Sequence, residues 1–457
     1  MTPAHNWRVA SAYGLMAAPL AFAALPLYVL FPQFYATNLG VSLAALGGLL
    51  LVVRALDAVT DPLIGRLLDT HLRSNNLMPM AVVAALVLVL GFGALFKAQS
   101  DWGTTPLLVW AGLMLTLCTG AYSVLTLALQ TWVSRVHASA AQQGELQRYL
   151  IAWREGFGLL GVLVGASLPA VAGLDATTAT LMALMVMALA AWYWVRPALA
   201  MTNANSLAAT TPPVTPATVS ESAADPATTA QSLSGATATD AVVNTPGFFK
   251  QLMLIHVVNG MASAIPATLV LFFVRDRLQA PAGSEALFLL LYFAAAGLAM
   301  PLWQSTMARI GLVKTWGIAM VLATAAFAVT ASLGSGDSIW FAVVCVGSGM
   351  ALGADLCVPQ AMLAQWLNAP NAHAKSDTLP RKDGVYFGWW NVVSKGNLAL
   401  AAGVALPLLG VLGYVPGAPD NTQALAWVYG ALPCVLKVTA AGLLWHCWIK
   451  KRSRAHT

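Results

Sequence analysis

The sequence predicts an all-α integral membrane protein with about twelve transmembrane helices. Of its 457 residues, 59% are hydrophobic and 9% are charged, which leaves too little polar surface to cover a soluble globule of this size. Apolar runs of about 20 residues, the length that crosses a hydrocarbon core, follow one another from Ser11 to Ile449. These runs do not alternate apolar and polar residues as the strands of a membrane barrel would. A helical bundle is therefore expected.

The predicted spans form two groups of six, separated by a polar segment. Residues 201–247 are rich in Ala, Thr, Ser and Pro and contain no aromatic residue, a composition typical of a disordered linker. The predicted domains are an N-terminal six-helix bundle at 1–200, a disordered cytoplasmic linker at 201–247, a C-terminal six-helix bundle at 248–449 and a basic cytoplasmic tail at 450–457. The spans lie near 11–38, 42–68, 78–96, 105–130, 150–172, 178–196, 248–274, 286–310, 314–333, 338–367, 385–412 and 424–449.

The cations predict the orientation, because Lys and Arg are enriched in the loops that stay in the cytoplasm. Arg66 and Arg73 follow the second span, Arg135 and Arg148 follow the fourth, and the tail 450–457 is basic. Both termini are therefore expected in the cytoplasm, with the protein in the inner (plasma) membrane. The formal net charge of +6 is spread over many short loops rather than along one face, so nucleic-acid binding is not expected.

The remaining composition indicates neither a removable leader nor a resident cofactor. The N-terminal residues lack a short apolar region with a small-residue cleavage site, so no signal peptide is expected. The five cysteines lie inside apolar runs without Cys-x-x-Cys spacing. Neither a disulfide framework nor a zinc site is therefore expected.

The second span contains three ionisable residues, Arg54, Asp57 and Asp61. Each central charge costs about 2.5–3.5 kcal/mol on insertion scales, so such residues normally face a cavity, pair with each other and serve function. Their spacing of three and four residues places all three on one helical face. Two neighbouring carboxylates resist ionising together, so one is expected to bind a proton or share a small cation such as Na⁺. The alternative is a buried ion pair of Arg54 with one aspartate, which leaves the other acid without a partner.

Two further lysines lie within apolar spans, and the sequence predicts different environments for them. Lys395 lies in the middle of its span and needs a carboxylate, for which Asp57 and Asp61 are the candidates. The alternative for Lys395 is an ammonium that reaches the membrane interface. Lys437 lies nearer a helix end, and an interfacial position is predicted for it.

These residues resemble the glycoside-pentoside-hexuronide, or melibiose-permease-like, cation symporters of the major facilitator superfamily. The second span reads Arg54-x-x-Asp57-x-x-x-Asp61-Pro62-x-x-Gly65, which is similar to the signature whose two aspartates bind the coupling Na⁺, Li⁺ or H⁺ in that family. The resemblance extends to residues 153–158, 386–395 and 413–416. It implies the major facilitator fold, with twelve helices in two six-helix halves.

The resemblance also implies a set of site residues. The cation-binding set is Asp57, Asp61, Thr60 and Ser123; the charge-compensating set is Arg54, Lys395 and Arg154; the substrate-binding set is Tyr122, Thr126, Asn259, Asp355, Gln360, Trp389 and Asn391. Thr60 stands where sodium-using members often have Asn, which favours protons. Thr126 stands near the position of an acid that binds galactosyl hydroxyls in the family, so galactoside recognition is not expected.

The functional hypothesis is a cation-coupled (H⁺ or Na⁺) secondary active symporter that moves a small solute, glycoside-like or amphipathic, by alternating access. Its expected partners are a small-molecule substrate and the lipid bilayer, and it is expected to act as a monomer without a cofactor. One alternative is a transporter of lysolipids or hydrophobic compounds with the same fold. A less favoured alternative is a membrane prenyltransferase, because Asp57, Asp61 and Asp69 resemble an aspartate-rich diphosphate motif. That chemistry needs a second acidic cluster, and Asp355 is the only central acid of the C-terminal half.

Overall fold

Helices account for every regular element in the part of the chain that the structure describes. The structure is a computed structural model, and it describes residues 7–31, 34–35, 38–41, 43–73, 77–99, 101–134, 140–209, 247–281, 283–368, 382–414 and 422–449. The prediction of an all-α chain is confirmed. The predicted tail at 450–457 lies outside the described residues.

The N-terminal half of the chain, which we call the N half, contains six helices in the described ranges. They are α1 (Trp7–Gly14), α2 (Ala17–Leu25, continued by a π-helical turn at Pro26–Leu30), α3 (Leu43–Arg73), α4 (Leu77–Leu95), α5 (Thr104–Ser134) and α6 (Ala140–Ala209).

The C-terminal half of the chain, which we call the C half, contains eight helices in the described ranges. Some of these helices are consecutive pieces of one span. They are α7 (Phe248–Phe272, then π-helical Phe273–Arg277), α8 (Ser284–Leu298), α9 (Met300–Ile310), α10 (Leu312–Thr330), α11 (Ser338–Asn368), α12 (Asp383–Val411), α13 (Thr422–Ala426, then π-helical Trp427–Ala431) and α14 (Leu432–Leu444, then π-helical Trp445–Ile449).

Helix α6 contains two predicted spans and part of the predicted linker. Its backbone leaves helical geometry at Gly173, where φ is 79° and ψ is 177°, a conformation that glycine adopts without steric cost. The helix then continues to Ala209, so residues 201–209, which were expected to be disordered, are helical. This stretch contains three alanines and one leucine but no proline, and alanine and leucine extend a helix readily. The rest of the predicted linker, residues 210–246, lies outside the described residues.

Among the described residues, nine helical stretches are long and apolar enough to cross a membrane. Predicted spans one, two and five are the exceptions. Span one is divided between α1 and α2, whereas the second and fifth spans carry the buried charges of Asp57, Asp61 and Arg154.

The N half and the C half meet along two seams. Helix α3 packs against α12 along one seam, and α6 packs against α8 and α11 along the other. Within the C half, α7 lies between α12 and α14. The charged face of α3 is thereby directed toward α12 and α5, while Val52, Val59 and Leu63 on its other side are exposed. These exposed apolar side chains are suited to contact with lipid.

The α3–α12 seam is closest at its glycine pair. A Cβ built on Gly65 would lie 2.2 Å from the carbonyl oxygen of Gly384, and a Cβ on Gly384 would lie 2.3 Å from that of Gly65. Asp69 reinforces this end of the seam, because its carboxylate accepts hydrogen bonds from the backbone N–H groups of Gly384 at 3.0 Å and Val385 at 3.4 Å. Small residues allow this close approach, and the two halves are joined tightly here.

The glycine pair generates the first prediction. Gly384→Ala should destabilise the protein by about 1–3 kcal/mol, because its Cβ forces the two backbones apart. The matched control is Gly396→Ala on the same helix, where an added Cβ meets no atom within 4 Å. The measurement is thermal unfolding of both variants in detergent. If both variants lost the same amount of stability, the close approach of α3 and α12 at Gly384 would not be the cause of the loss.

Candidate functional site

The acidic face of α3 is buried within the bundle. Asp57 and Asp61 lie four residues apart on this helix, so both carboxylates project from one face. Asp57 is 6% exposed and Asp61 is 0% exposed. Carboxylates at this depth require compensating partners, because the bilayer core supplies no water to solvate them.

Lys395 supplies the compensating charge from the opposite half. Its Nζ lies 2.7 Å from Asp57 Oδ2 and 2.8 Å from Asp61 Oδ2, so the predicted contact of Lys395 with these acids is present. The same ammonium donates to Ser123 Oγ at 2.9 Å, and Ser123 Oγ in turn donates to Asp57 Oδ1 at 2.9 Å. We call Asp57, Asp61, Ser123 and Lys395 the carboxylate–lysine cluster.

The oxygens of the two acids are not equally satisfied. Both oxygens of Asp57 have a partner in Ser123 or Lys395. Asp61 Oδ2 faces Lys395, whereas Asp61 Oδ1 is buried and accepts no hydrogen bond from the residues that the structure describes. A buried polar atom without a hydrogen-bond partner is uncommon and calls for an explanation, such as a bound water or ion.

Two residues predicted to act with these acids are placed differently. The Thr60 hydroxyl donates to the main-chain oxygen of Asp57 at 3.0 Å, and its place in the cation-binding set stays a prediction. A threonine hydroxyl inside a helix commonly bonds to a carbonyl of the preceding turn, and this local bond competes with coordination. Arg54 is half-buried one turn before Asp57, and its charge-compensating role stays a prediction.

Arg154, predicted to compensate charge, belongs to a second cluster, which lies at the other seam. Its buried guanidinium donates to Glu155 Oε1 through Nε at 3.0 Å and bonds through Nη2 to both Glu155 and Gln360. The Gln360 amide donates to Glu155 Oε1 at 3.2 Å. Arg154 and Glu155 lie on α6 and Gln360 lies on α11, so this network also joins the two halves. The neighbouring acid in the sequence is the partner that the prediction for Arg154 overlooked.

A third cluster lies entirely within the C half and corrects the prediction for Lys437. This lysine is 1% exposed and forms an ion pair with Asp355, so it is not an interfacial residue. Its Nζ donates to Asn259 Oδ1 at 2.8 Å, while Asn259 Nδ2 and Trp316 Nε1 each donate to Asp355 Oδ1 at 3.0 Å. Four helices, α7, α10, α11 and α14, meet at this C-half cluster. The sequence analysis assigned no cation to Asp355. A buried acid without a predicted partner was the signal that could have identified Lys437 as its partner.

Asn259 and Asp355 were predicted to bind substrate, and the structure places both in the C-half cluster. Every polar atom that these two residues direct into the cluster has a partner there. Their role in substrate binding stays a prediction, because their hydrogen-bonding capacity is largely used within the protein.

The two neighbouring tryptophans of α12, Trp389 and Trp390, differ in exposure. Trp389, which was predicted to bind substrate, is 51% exposed, whereas Trp390 is 3% exposed. Trp390 stacks on His256 with ring centroids 3.7 Å apart. Successive helical residues differ by about 100° in direction, so the two side chains have different surroundings, and the role of Trp389 in substrate binding stays a prediction.

The remaining predicted substrate residues lie along α5 and α12. Gln130 of α5 donates to Asn391 of α12 at 3.2 Å, a further polar contact between the halves. Tyr122 is half-buried on α5. The hydroxyl oxygen of Thr126 is buried and has no hydrogen-bond partner among the described residues, so Thr126 offers a polar group that a solute could satisfy.

His256 is a half-buried polar residue that sequence reasoning did not single out. Its Nε2 lies 2.9 Å from the Ser394 hydroxyl, and its main-chain oxygen accepts a hydrogen bond from Asn397 at 3.3 Å. These contacts fix α12 against α7 on either side of Lys395. No sequence signal identified His256, because it is a lone histidine in an apolar span.

A family model described as MFS/sugar transport protein matches residues 10–451. A relative in Bacillus subtilis (strain 168), the uncharacterized symporter YnaJ, is 35% identical over 130 residues. That match covers 27% of this chain and 27% of the relative, so the aligned part spans about a quarter of the relative's length.

Solved structures of transporters share the fold. A bacterial homologue of the iron transporter ferroportin in an outward-facing state has a TM-score of 0.63 and 12% identity, covering 96% of this chain and 99% of that chain. The Escherichia coli fucose:proton symporter has a TM-score of 0.57 and 12% identity, covering 96% of this chain and 98% of that chain. At this identity the likeness shows the fold alone, and together with the family match it agrees with the major facilitator fold that the sequence predicted.

The C-half cluster generates the second prediction. Asp355→Asn or Lys437→Met alone should cost about 3–5 kcal/mol of unfolding free energy, because each leaves one charge buried without its partner. The double variant should recover most of this loss, since neither charge remains. The measurement is denaturant unfolding in detergent. If the double variant unfolds as easily as the less stable of the two single variants, the hydrogen bonds rather than the paired charges stabilise the cluster.

Proposed function

This chain belongs to the MFS/sugar transport protein family, and on that premise we propose that it is a cation-coupled symporter of a small solute. The family and the structural neighbours are membrane transporters and not enzymes, so the prenyltransferase alternative is set aside. The protein is a multi-pass membrane protein with the major facilitator fold. The coupling to a cation and the nature of the solute are the parts that we propose.

The observation that carries the proposal is the carboxylate–lysine cluster at the seam between the halves. Two carboxylates of the N half share one ammonium from the C half, with Nζ–O distances of 2.7 and 2.8 Å. A bound cation or proton at either acid weakens the attraction between α3 and α12, because it competes with Lys395 for the same negative charge. Ion binding is thereby linked to the relative position of the two halves.

Alternating access requires the contacts between the halves to break and re-form. Among the described residues, these contacts include the glycine pair Gly65 and Gly384, the ion pairs of Lys395, and the Gln130–Asn391 and Arg154–Gln360 hydrogen bonds. The contacts in this set are polar or depend on close backbone approach. Rocking of the two halves about this set of contacts fits the proposed mechanism.

A glycoside-like solute fits the polar residues that face the seam. Thr126 offers a buried hydroxyl without a protein partner, and the half-buried Tyr122 lies one turn away on the same helix. Gln130 and Asn391 bond to each other across the seam, and their amides become available to a solute when the halves separate. Neutral donors and acceptors of this kind suit hydroxyl groups.

An amphipathic solute is the second candidate, and a groove at the other seam favours it. The groove has a volume of about 490 Å³ and lies between α6 and α8. Its lining is predominantly apolar and aromatic, and includes Trp153, Phe157, Phe293 and Gly297. A hydrocarbon chain matches such a lining.

Several features of the setting belong to the proposal. We place the protein in the inner membrane with both termini in the cytoplasm, because the cations cluster in the loops on that side. We also propose that one chain acts alone, since the two halves together supply the carboxylate–lysine cluster.

The third prediction tests cation coupling. Asp57→Asn and Asp61→Asn should each abolish gradient-driven accumulation of the solute, because each removes one of the acids that bind the cation. The solute is first found by thermal unfolding against glycosides, organic acids and lysolipids, since a ligand that binds only the native state raises the melting temperature. Uptake is then measured in proteoliposomes with an imposed pH or Na⁺ gradient.

The control for this experiment is Glu285→Gln, which removes a carboxylate paired with the exposed Arg275. This variant should retain accumulation. Full accumulation by both aspartate variants, with folded protein present in the membrane, would overturn the assignment of the cluster to coupling.

The fourth prediction separates the two solute classes. Gly297→Leu fills the groove between α6 and α8, so it should weaken lysolipid binding several-fold if the solute is amphipathic and leave glycoside binding unchanged. The matched control is Gly442→Leu, where an added Cβ meets no atom within 4 Å. Binding is followed by the ligand-dependent shift in melting temperature. A lysolipid shift that survives Gly297→Leu would exclude the groove as its site.

A further inference from the structure

The groove between α6 and α8 is polar at one end and apolar along the rest of its length. Its lining is aliphatic or aromatic except at Tyr149, near the start of α6, and Gln304, on α9. The guanidinium of Arg148 bonds to the main-chain oxygen of Met307, so the start of α6 lies against the last turn of α9. Tyr149 and Gln304 therefore share one end of the groove, and the remainder offers only apolar surface.

The groove opens on the outer surface of the bundle. Leu160 and Leu298 on its rim are 56% and 82% exposed, whereas Leu159 and Met300 on its inner wall are buried. Exposed leucines on membrane-spanning helices suit contact with hydrocarbon, because lipid tails are as apolar as leucine. Acyl chains of the bilayer thus have direct access to the groove from the side, and its lining matches them.

Arg148 supplies a cation at the polar end. It is half-buried, and its one hydrogen bond with the described residues runs from Nη1 to Met307 O at the long distance of 3.5 Å. A guanidinium presents several N–H donors in a planar fork, so most of this capacity is left for a further acceptor. The fork matches the oxygens of a phosphate group.

The charge around this end is positive. Arg309 in the last turn of α9 and Lys314 near the start of α10 are exposed. Glu145 lies one turn before the buried guanidinium on α6, and it is the one acid in residues 140–150 and 300–316. Cations therefore outnumber acids here, and basic pockets between transmembrane helices bind the headgroups of anionic lipids.

Gln304 provides a polar group between the charged end and the apolar lining. Its half-buried side chain makes no hydrogen bond with the residues that the structure describes, and it lies one turn before Met307 on α9. An amide N–H in this position suits the ester carbonyl of a glycerolipid, which lies between the phosphate and the acyl chain.

We propose that this groove holds a phospholipid of the surrounding bilayer with an anionic headgroup. One acyl chain lies along the apolar lining, and the phosphate lies at Arg148. The inference goes beyond the proposed function, because a lipid that stays in place is neither the transported solute nor the coupling cation.

The lipid contacts both halves of the protein. Helix α6 belongs to the N half, whereas α8 and α9 belong to the C half, and the groove exists only while these helices are adjacent. A ligand shifts a conformational equilibrium toward the state that it binds better. The phospholipid therefore stabilises the arrangement of the halves seen in this structure, and the lipid composition of the membrane influences their separation.

The fifth prediction tests the lipid on the purified full chain in detergent. Phosphatidylglycerol, which is anionic, and phosphatidylcholine, which is zwitterionic, are added separately with identical acyl chains. We expect phosphatidylglycerol to raise the melting temperature more at equal concentration, because it binds the native state more tightly. Native mass spectrometry of the same samples should show a single phosphatidylglycerol retained per chain.

Two variants test the two ends of the groove. Arg148→Gln should reduce the phosphatidylglycerol shift to that of phosphatidylcholine, because the group that recognises the negative charge is lost. Gly297→Leu should weaken the binding of both lipids several-fold, because the added side chain fills the apolar part. Arg148→Gln decides the headgroup assignment even if Gly297→Leu does not fold.

Two controls accompany these variants. Lys250→Gln removes an exposed lysine at the start of α7, at the same end of the bundle, and it should keep the preference for phosphatidylglycerol. Glycerol phosphate, which has the phosphate but no acyl chain, should produce no shift in the wild-type protein. A shift with glycerol phosphate equal to that with phosphatidylglycerol would mean that the site binds free phosphate, and this would contradict a lipid site.

The outcomes separate this inference from the proposed function. Equal shifts with the two lipids, or a phosphatidylglycerol shift that survives Arg148→Gln, would overturn the inference. Protein-dependent movement of labelled phosphatidylglycerol across proteoliposome membranes would also overturn it, because the lipid would then be a solute. None of these results affects gradient-driven uptake and its loss in Asp57→Asn, so cation coupling stands or fails by that separate measurement.

Discussion

The ion pairs of Lys395 with Asp57 and Asp61 are the interaction on which the arrangement of the two halves depends. An ionised side chain inside a bilayer has no water to solvate it, so it must find an opposite charge within the protein. The acids lie on α3 of the N half and the lysine lies on α12 of the C half, so this requirement can be met only when the two helices are adjacent. The same requirement accounts for the Arg154, Glu155 and Gln360 network at the second seam.

The seams are built from contacts that suit repeated separation. Lipid is as apolar as leucine, so helices in a membrane gain little from burying apolar side chains against each other, and they associate through close packing and hydrogen bonds instead. Gly65 and Gly384 provide the close packing at one end of the α3–α12 seam. Gln130 and Asn391 provide a hydrogen bond within it. A transporter needs halves that hold together in each state yet part at moderate cost, and such contacts meet both demands.

The carboxylate–lysine cluster and the C-half cluster differ in how completely they are satisfied. Asp355 is paired with Lys437 and accepts hydrogen bonds from Asn259 and Trp316, so it has little capacity for a further ligand. Asp61 retains an oxygen without a hydrogen bond among the described residues, and its cluster has one more acid than base. A satisfied polar network fixes one packing arrangement, whereas the unsatisfied one is suited to bind and release an ion. The buried Lys437 therefore helps to fix one packing arrangement, whereas the half-buried Lys395 belongs to a cluster that is suited to bind an ion.

The amino-acid sequence alone determined the membrane class, the division into two halves, and the shared face of Asp57 and Asp61 on α3. These features follow from local rules, since span length comes from the thickness of the bilayer and the spacing of four residues fixes side chains on one face of a helix. The contact of Lys395 with these acids was also predicted, because they were the paired acids deep in a span. Only the tertiary structure decided that Lys437 pairs with Asp355, that Arg154 pairs with Glu155 and Gln360, and that Trp390 rather than Trp389 faces the interior. These choices depend on how each helix is rotated about its axis and which helices become neighbours, and the packing of the whole bundle sets both.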